Sequence, residues 1–261
     1  MRMPRFIPAV CLLALSARGA AAQDARDHVV LGAAAVQVHD LGTALAHFDA
    51  ALALDSTSYD ANWRAALALL DEGARFPDKG KNPERDSLYA RAERLARRAV
   101  AADSLGADGH FALAAAVGRE ALTLGTHDRI KRAAIIRDEA LRAVTLNPRH
   151  DGAWHILGAW NAEVMRLSGL SRFFAKRFLG AGIFGRASWA EAIEDMERAV
   201  ALDPGRLYHR LELARIYADR KRYADARAEL DRLAALPDRE ITDSVYRREG
   251  TELARKLAGK T

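Results

Sequence analysis

The stretch Asp151-Gly152-Ala153-Trp154-His155-Ile156-Leu157-Gly158 is answered, after an interruption, by Trp189-Ala190-Glu191-Ala192 and Met196, Ala199 and Asp203-Pro204. Together these residues decide the fold. They spell W-x-x-L-G, then A-x-x-x-M-x-x-A, then a closing Asp-Pro. Apolar residues three and four apart share one face of a helix, so each half reads as an amphipathic helix. Small residues at Gly158 and Ala192 let the two helices approach closely, and the large residues fill the space on either side. Pro204 cannot continue the second helix and restricts the residue before it, so the pair ends there.

The same frame recurs on both sides. Towards the N-terminus it is carried by Leu31-Gly32, then Ala44, Phe48 and Ala51, closing at Leu54-Asp55-Ser56. A second copy has Trp63 and Ala66, then Tyr89, Ala92, Ala96 and Ala99, closing at Asp103-Ser104. A third has Leu113-Ala114, then Ala140 and Ala143, closing at Asn147-Pro148. A fifth follows the central one with Leu213-Ala214 and Tyr217, then Tyr223, Ala226 and Leu230. The predicted repeats span 25–58, 59–106, 107–150, 151–206 and 207–238. A last helix over 239–258, with Arg and Lys on its outer face, is predicted to cap the array, as the open end of a solenoid requires. The first spacing is about 34 residues. The later ones are longer, and the excess falls between the two helices of each pair. Segment 77–87 is a polar loop by its Pro, Gly and Asn content.

This pattern resembles the tetratricopeptide repeat (TPR), whose motif is W-x-x-L-G-x-x-Y, then A-x-x-x-F, then P. The fourth copy carries a more specific likeness. Asn147-Pro148-Arg149-His150-Asp151 leads into Trp154 to Trp160, then Glu163 to Ser168, a basic aromatic insertion, and Trp189-Ala190-Glu191-Ala192. Over about 110–240 this is similar to the regulator of microtubule dynamics family, which has an inserted helical hairpin at this place. The resemblance implies an all-α, right-handed solenoid of about five helix pairs with an inserted hairpin in the fourth repeat. It brings no catalytic residues. Microtubule binding is not carried over, because an exported chain meets no microtubules.

Export is expected from the first 22 residues. Arg2 and Arg5 precede an apolar run from Phe6 to Leu15, and Ala20-Ala21-Ala22 supplies the small residues a signal peptidase accepts. The run is too short to span a bilayer. The alternative is a retained N-terminal anchor. Lipidation at Cys11 is disfavoured by Pro8-Ala9-Val10 before it. Cys11 is the single cysteine, so a chain cleaved after Ala22 has no disulfide, thiolate metal site or cysteine nucleophile. Loss of Arg2, Arg5 and Arg18 takes the basic residues from 40 to 37 against 35 acidic ones, a balance of +2. That near-neutrality gives no global case for nucleic-acid binding. The expected location is the periplasm or the cell exterior.

No catalytic, cofactor or metal site is expected. The eight histidines are scattered, and there is no H-E-x-x-H, G-x-S-x-G, Walker loop or dinucleotide glycine fingerprint. Trp63, Trp154, Trp160 and Trp189 are read as core residues of the repeat in preference to a ligand cage. The function expected is that of an adaptor or scaffold binding a protein or peptide in the concave groove, which the first helix of each pair lines. By the repeat frame that face holds Phe111, Ala115, Arg119, His155, Glu163, Tyr208, Arg215 and Asp219. Arg119 and Arg215 are candidates to clamp a peptide carboxylate, the alternative being ordinary solvated groove residues.

The insertion 166–187 stands apart. No acid occurs from Val164 to Ala190, while Arg166, Arg172, Lys176, Arg177 and Arg186 are basic. Leu167, Leu170, Phe174 and Phe178 recur at three and four, giving a basic amphipathic helix. Three uses are open: packing on neighbouring repeats, docking a partner through Arg172, Lys176 and Arg177, or contact with an anionic membrane surface. The last would make the protein a membrane-surface structural element.

Overall fold

The computed structural model describes residues 9–77, 80–167, 185 and 187–260. Among these the chain is helical, without a strand. The helices are α1 (Ala9–Gln37), α2 (Leu41–Leu54), α3 (Tyr59–Gly73), α4 (Pro83–Ala102), α5 (Ala107–Thr123) and α6 (Thr126–Leu146), then α7 (Asp151–Arg166), α8 (Trp189–Leu202), α9 (Leu207–Asp219), α10 (Tyr223–Ala235) and α11 (Asp243–Leu257). Each helix up to α10 packs on the next, and α11 packs on α9 and α10. The odd-numbered helices α1, α3, α5, α7 and α9 also touch one another in series. They form one layer and the even-numbered helices the other, which is the arrangement of a TPR-like solenoid. Most of the insertion, including Arg172, Lys176 and Arg177, lies outside the described residues, and so does the predicted hairpin.

The helix pairs close on small residues, as the motif requires. A Cβ on Gly158 would stand 3.0 Å from the backbone nitrogen of Met196 and 3.1 Å from the carbonyl oxygen of Ala192. In the first pair the ring of Phe48, fully buried, lies against Gly32. In the second, Tyr89 lies against Gly73. Ala44, Ala51, Ala92, Ala96, Ala99, Ala140, Ala143, Ala192, Ala199 and Ala226 are all fully buried. Alanine serves here both as the best helix former and as the spacer that sets a short interhelical distance.

The turns between pairs follow one design. Asp55, Asp103, Asn147 and Asp203 each end an even-numbered helix with extended or near-extended backbone. Each side chain accepts the amide two residues on, from Thr57, Leu105, Arg149 and Gly205, at 2.9–3.1 Å. The Asx turn therefore ends the helix, and Pro148 and Pro204 are accessories present at two of these four turns. The carbonyl that follows each Asx residue is also satisfied. Asn62 donates to Ser56, His110 pairs with Ser104, Trp154 Nε1 donates to Pro148 and Arg210 donates to Pro204. Four residue types of different shape perform one task at one repeat position, that of pairing an otherwise orphaned carbonyl.

The tryptophans divide accordingly. Trp160 is the most buried, at 5% exposure, and donates to Ala133 O at 2.7 Å. Trp154 and Trp189 are half-buried against the core beneath Arg198 and Arg220. Trp63 packs at the edge and donates to Asp60.

Residues 1–8 lie outside the described part, and α1 runs without a break from Ala9 through Ala20-Ala21-Ala22 to Gln37. At the other end the helical cap is shorter than 239–258. The carboxylate of Asp243 holds the residues before it out of the helix. Asp243 Oδ2 accepts the amides of Arg239 (2.7 Å) and Glu240 (2.8 Å), folding that loop back onto the start of α11.

Candidate functional groove

The inner layer brings residues of α3, α5, α7 and α9 to one side, and the loop before α11 reaches into the same space. Tyr208 of α9 covers His155 of α7 with ring centroids 3.8 Å apart, and Tyr246 of α11 stacks on Tyr208 at 4.8 Å. Arg206 bridges Asp151 and Glu240, each at 2.7 Å. Arg119 of α5 and Asp71 of α3 add their charges to the same space and act on Tyr246. Six predicted groove residues, Arg119, His155, Glu163, Tyr208, Arg215 and Asp219, fall on this side of the molecule.

Beneath the tyrosines runs a hydrogen-bonded chain. His209 Nε2 faces Asp151 Oδ2 at 2.9 Å, and His209 Nδ1 faces His155 Nδ1 at 3.0 Å. A carboxylate only accepts, so His209 carries its proton on Nε2. Its bare Nδ1 then accepts from His155 Nδ1–H, which leaves His155 Nε2 unprotonated. That nitrogen is buried without a partner. Burial, with His209 and Arg206 as unfavourable neighbours for a second proton, pushes His155 well below the ordinary histidine range. Burial also depresses His209, against the opposing pull of Asp151. For Asp151 burial alone would raise the carboxyl. The hydrogen bond from His209 and the charge of Arg206 outweigh it and hold it well below the usual carboxylate range. In the sequence the histidines look scattered because no two share a helical face at short spacing, whereas residues 155 and 209 meet across repeats. His155 is 2% exposed and forms the floor of the groove, not its wall.

At the far end of the groove a cavity of about 420 Å³ is lined by Glu163, Arg166, Glu212, Arg215, Ala218, Asp219 and Leu253. Its charges are internally paired. Arg166 meets Glu163 (2.6 Å), Glu212 (3.0 Å) and Asp219 (2.7 Å), and Arg215 meets Glu212 (3.2 Å) and Glu249 (2.7 Å). An incoming carboxylate at Arg215 therefore has to compete with Glu249. Phe111 is used differently from its neighbours in the predicted set. Its ring fills the space over Gly152 and packs on His150 at 4.5 Å, in the seam between the third and fourth pairs.

Asp71 carries the groove's most accessible pH signal. Burial, then the nearby Glu240, raises its carboxyl to about 7, with Arg119 and Arg206 opposing. An unfolded aspartate titrates near 4, so between these values the folded state binds the extra proton and stability falls as pH rises. His155 and His209, depressed by burial, pull the other way in this interval, so the signal is read as a difference: relative to wild type, Asp71→Asn should gain in thermal midpoint on moving from pH 6 to pH 8. Asp195 and Glu120, also raised to about 7 chiefly by burial, titrate alike in both proteins and cancel from that difference. An equal pH dependence in both proteins would mean that Asp71 does not titrate here.

Among the described residues no helix is long and apolar enough to cross a membrane. The fold matches that of a thermophilic TPR protein from Thermus thermophilus, with a TM-score of 0.63 at 16% identity, covering 87% of this chain and 99% of that one. PilF of Pseudomonas aeruginosa superposes with a TM-score of 0.54 at 18% identity, covering 93% of this chain and 89% of that one. At such identities the likeness concerns the fold. No curated protein matches the sequence. The family model for regulator of microtubule dynamics protein 1-3 matches residues 34–258, from within α1 to the end of α11. The match takes in the early repeats as well as the 110–240 stretch, and the chain belongs to the regulator of microtubule dynamics family.

Proposed function

We propose that the protein is an exported interaction scaffold that binds a protein or peptide in the groove lined by its odd-numbered helices, without chemistry of its own. The observation that carries this reading is the convergence of Asp71, Arg119, Glu163, Tyr208 and Arg215, from the inner helices of the second to the fifth pair, on one face. A continuous surface of that kind suits an extended chain, with affinity concentrated in a few aromatic and arginine anchors. The family and the solenoid fold fit a binding module, but a fold alone does not assign a function. Export rests on the n-region, apolar run and Ala20-Ala21-Ala22 of the sequence.

Two measurements test the proposal. The N-terminus of the protein recovered from the cell envelope should read Gln23-Asp24-Ala25. An intact N-terminus on a protein held in the cytoplasm would contradict export. In crosslinked cells, a partner captured by the wild type should be lost with Arg119→Glu/Arg215→Glu at unchanged helical circular dichroism. A partner that survives both substitutions would place binding elsewhere.

A further inference from the structure

The groove is already occupied by the chain itself. Residues 236–242 leave α10 and run back along the inner layer before α11 begins. Arg239 O faces His39 Nε2, in the loop between α1 and α2, at 2.9 Å, a contact across 200 positions. Ile241 packs on the apolar cluster built from α1 to α5. Glu240 receives Arg206 at 2.7 Å, Arg239 reaches Asp203 at 3.0 Å, and Tyr246 stacks on Tyr208. The segment therefore touches the first pair and the last, with Asp71 and Arg119 between them. An end cap needs only the contacts of α11 with α9 and α10. The reach to His39 and the Ile241 contact go beyond capping.

We propose that the segment Leu236–Tyr246 is an internal ligand of the groove, and that the external partner is an extended peptide with an acidic residue followed directly by an aliphatic one, which displaces it. This deepens the groove-binding reading above and rests on it. Charge complementarity sets the chemistry. Arg206 stands between the internal carboxylate of Asp151 and the displaceable carboxylate of Glu240, with Arg119 near by. A partner's acidic side chain takes the place of Glu240, and its aliphatic neighbour takes the place of Ile241. Because the groove is open only in the minor population, apparent affinity is reduced by the fraction that is open.

The test uses a fluorescent peptide of residues 236–246 with the full-length wild type and with Glu240→Lys/Ile241→Asp, which releases the internal copy. The released variant should bind the peptide at least about tenfold more tightly than the wild type. A peptide bearing the same two substitutions should bind neither protein. Equal affinity for the two proteins would overturn the inference and leave the groove reading standing. A variant with wild-type circular dichroism that binds neither this peptide nor the crosslinked partner would overturn both. If the variant does not fold, hydrogen exchange of the wild type decides. Saturating peptide should speed exchange of the 239–246 amides by about tenfold, and unchanged protection would overturn the inference.

Discussion

Replacing Gly158 with leucine should separate α7 from α8 and lower the unfolding free energy by about 3 kcal/mol, the upper part of the range for overpacked sites. A first side-chain carbon at this position already stands 3.0 Å from one backbone atom and 3.1 Å from another. The neighbours are the amide of Met196 and the carbonyl of Ala192, both within α8, so no side-chain rotation relieves the clash. The remaining atoms of leucine would have to enter the space of Met196, which is fully buried. Gly158→Ala gives the graded control. Its single methyl group asks for a shift of a few tenths of an ångström, and alanine recovers up to about 1 kcal/mol of helix propensity. Urea unfolding of the two variants should therefore rank leucine far below alanine. Similar midpoints for both would mean that α7 and α8 are not held at this distance.

Asp151→Ala should cost about 2–3 kcal/mol, less than the loss of a partner from a fully buried ion pair because both Asp151 and Arg206 retain some exposure. The carboxylate sits in the first turn of α7, where it also complements the helix dipole. Its removal leaves the Nε2–H of the buried His209 without its acceptor and Arg206 with Glu240 alone. Asp151→Asn keeps the shape and an acceptor but loses the charge, and should fall between wild type and alanine. Because the folded carboxyl titrates below its unfolded value, the stabilisation it gives is present above about pH 4 and disappears as acid protonates it. The difference between wild type and Asp151→Asn should therefore shrink on moving from pH 6 towards pH 3. A constant difference across that interval would assign Asp151 a packing role only.

The helix pairs were legible because their signal is local. Gly158, Ala192, Met196 and Ala199 stand at spacings that only a close pair of helices uses, and the same logic holds for Phe48 with Ala44 and Ala51. The Asx residues at 55, 103, 147 and 203 were visible too, although proline drew the attention that belongs to them. The donors to the turn carbonyls were hidden for a chemical reason. Asn62, His110, Trp154 and Arg210 share an N–H in reach of one oxygen but nothing a pattern of residue types records. The groove itself was half visible. Arg119, His155, Glu163, Tyr208, Arg215 and Asp219 follow from the repeat frame, since each lies on the inner side of the solenoid. Their partners do not, because Glu240, Glu249 and Tyr246 come from the last helix and the loop before it, which no local pattern ties to Arg206, Arg215 and Tyr208. For the same reason the cap at 239–258 was read as an end piece, while its first residues reach the opposite end of the solenoid at His39.

The central claim is that the inner face of the solenoid, not its outer face, meets the partner. Site-specific photo-crosslinking in intact cells tests it most directly, with the crosslinker placed at Glu163 on the groove side and at Arg98 on the exposed side of α4. A discrete protein adduct at 163 that is absent at 98 is the predicted result. An adduct at 98 with none at 163 would contradict it.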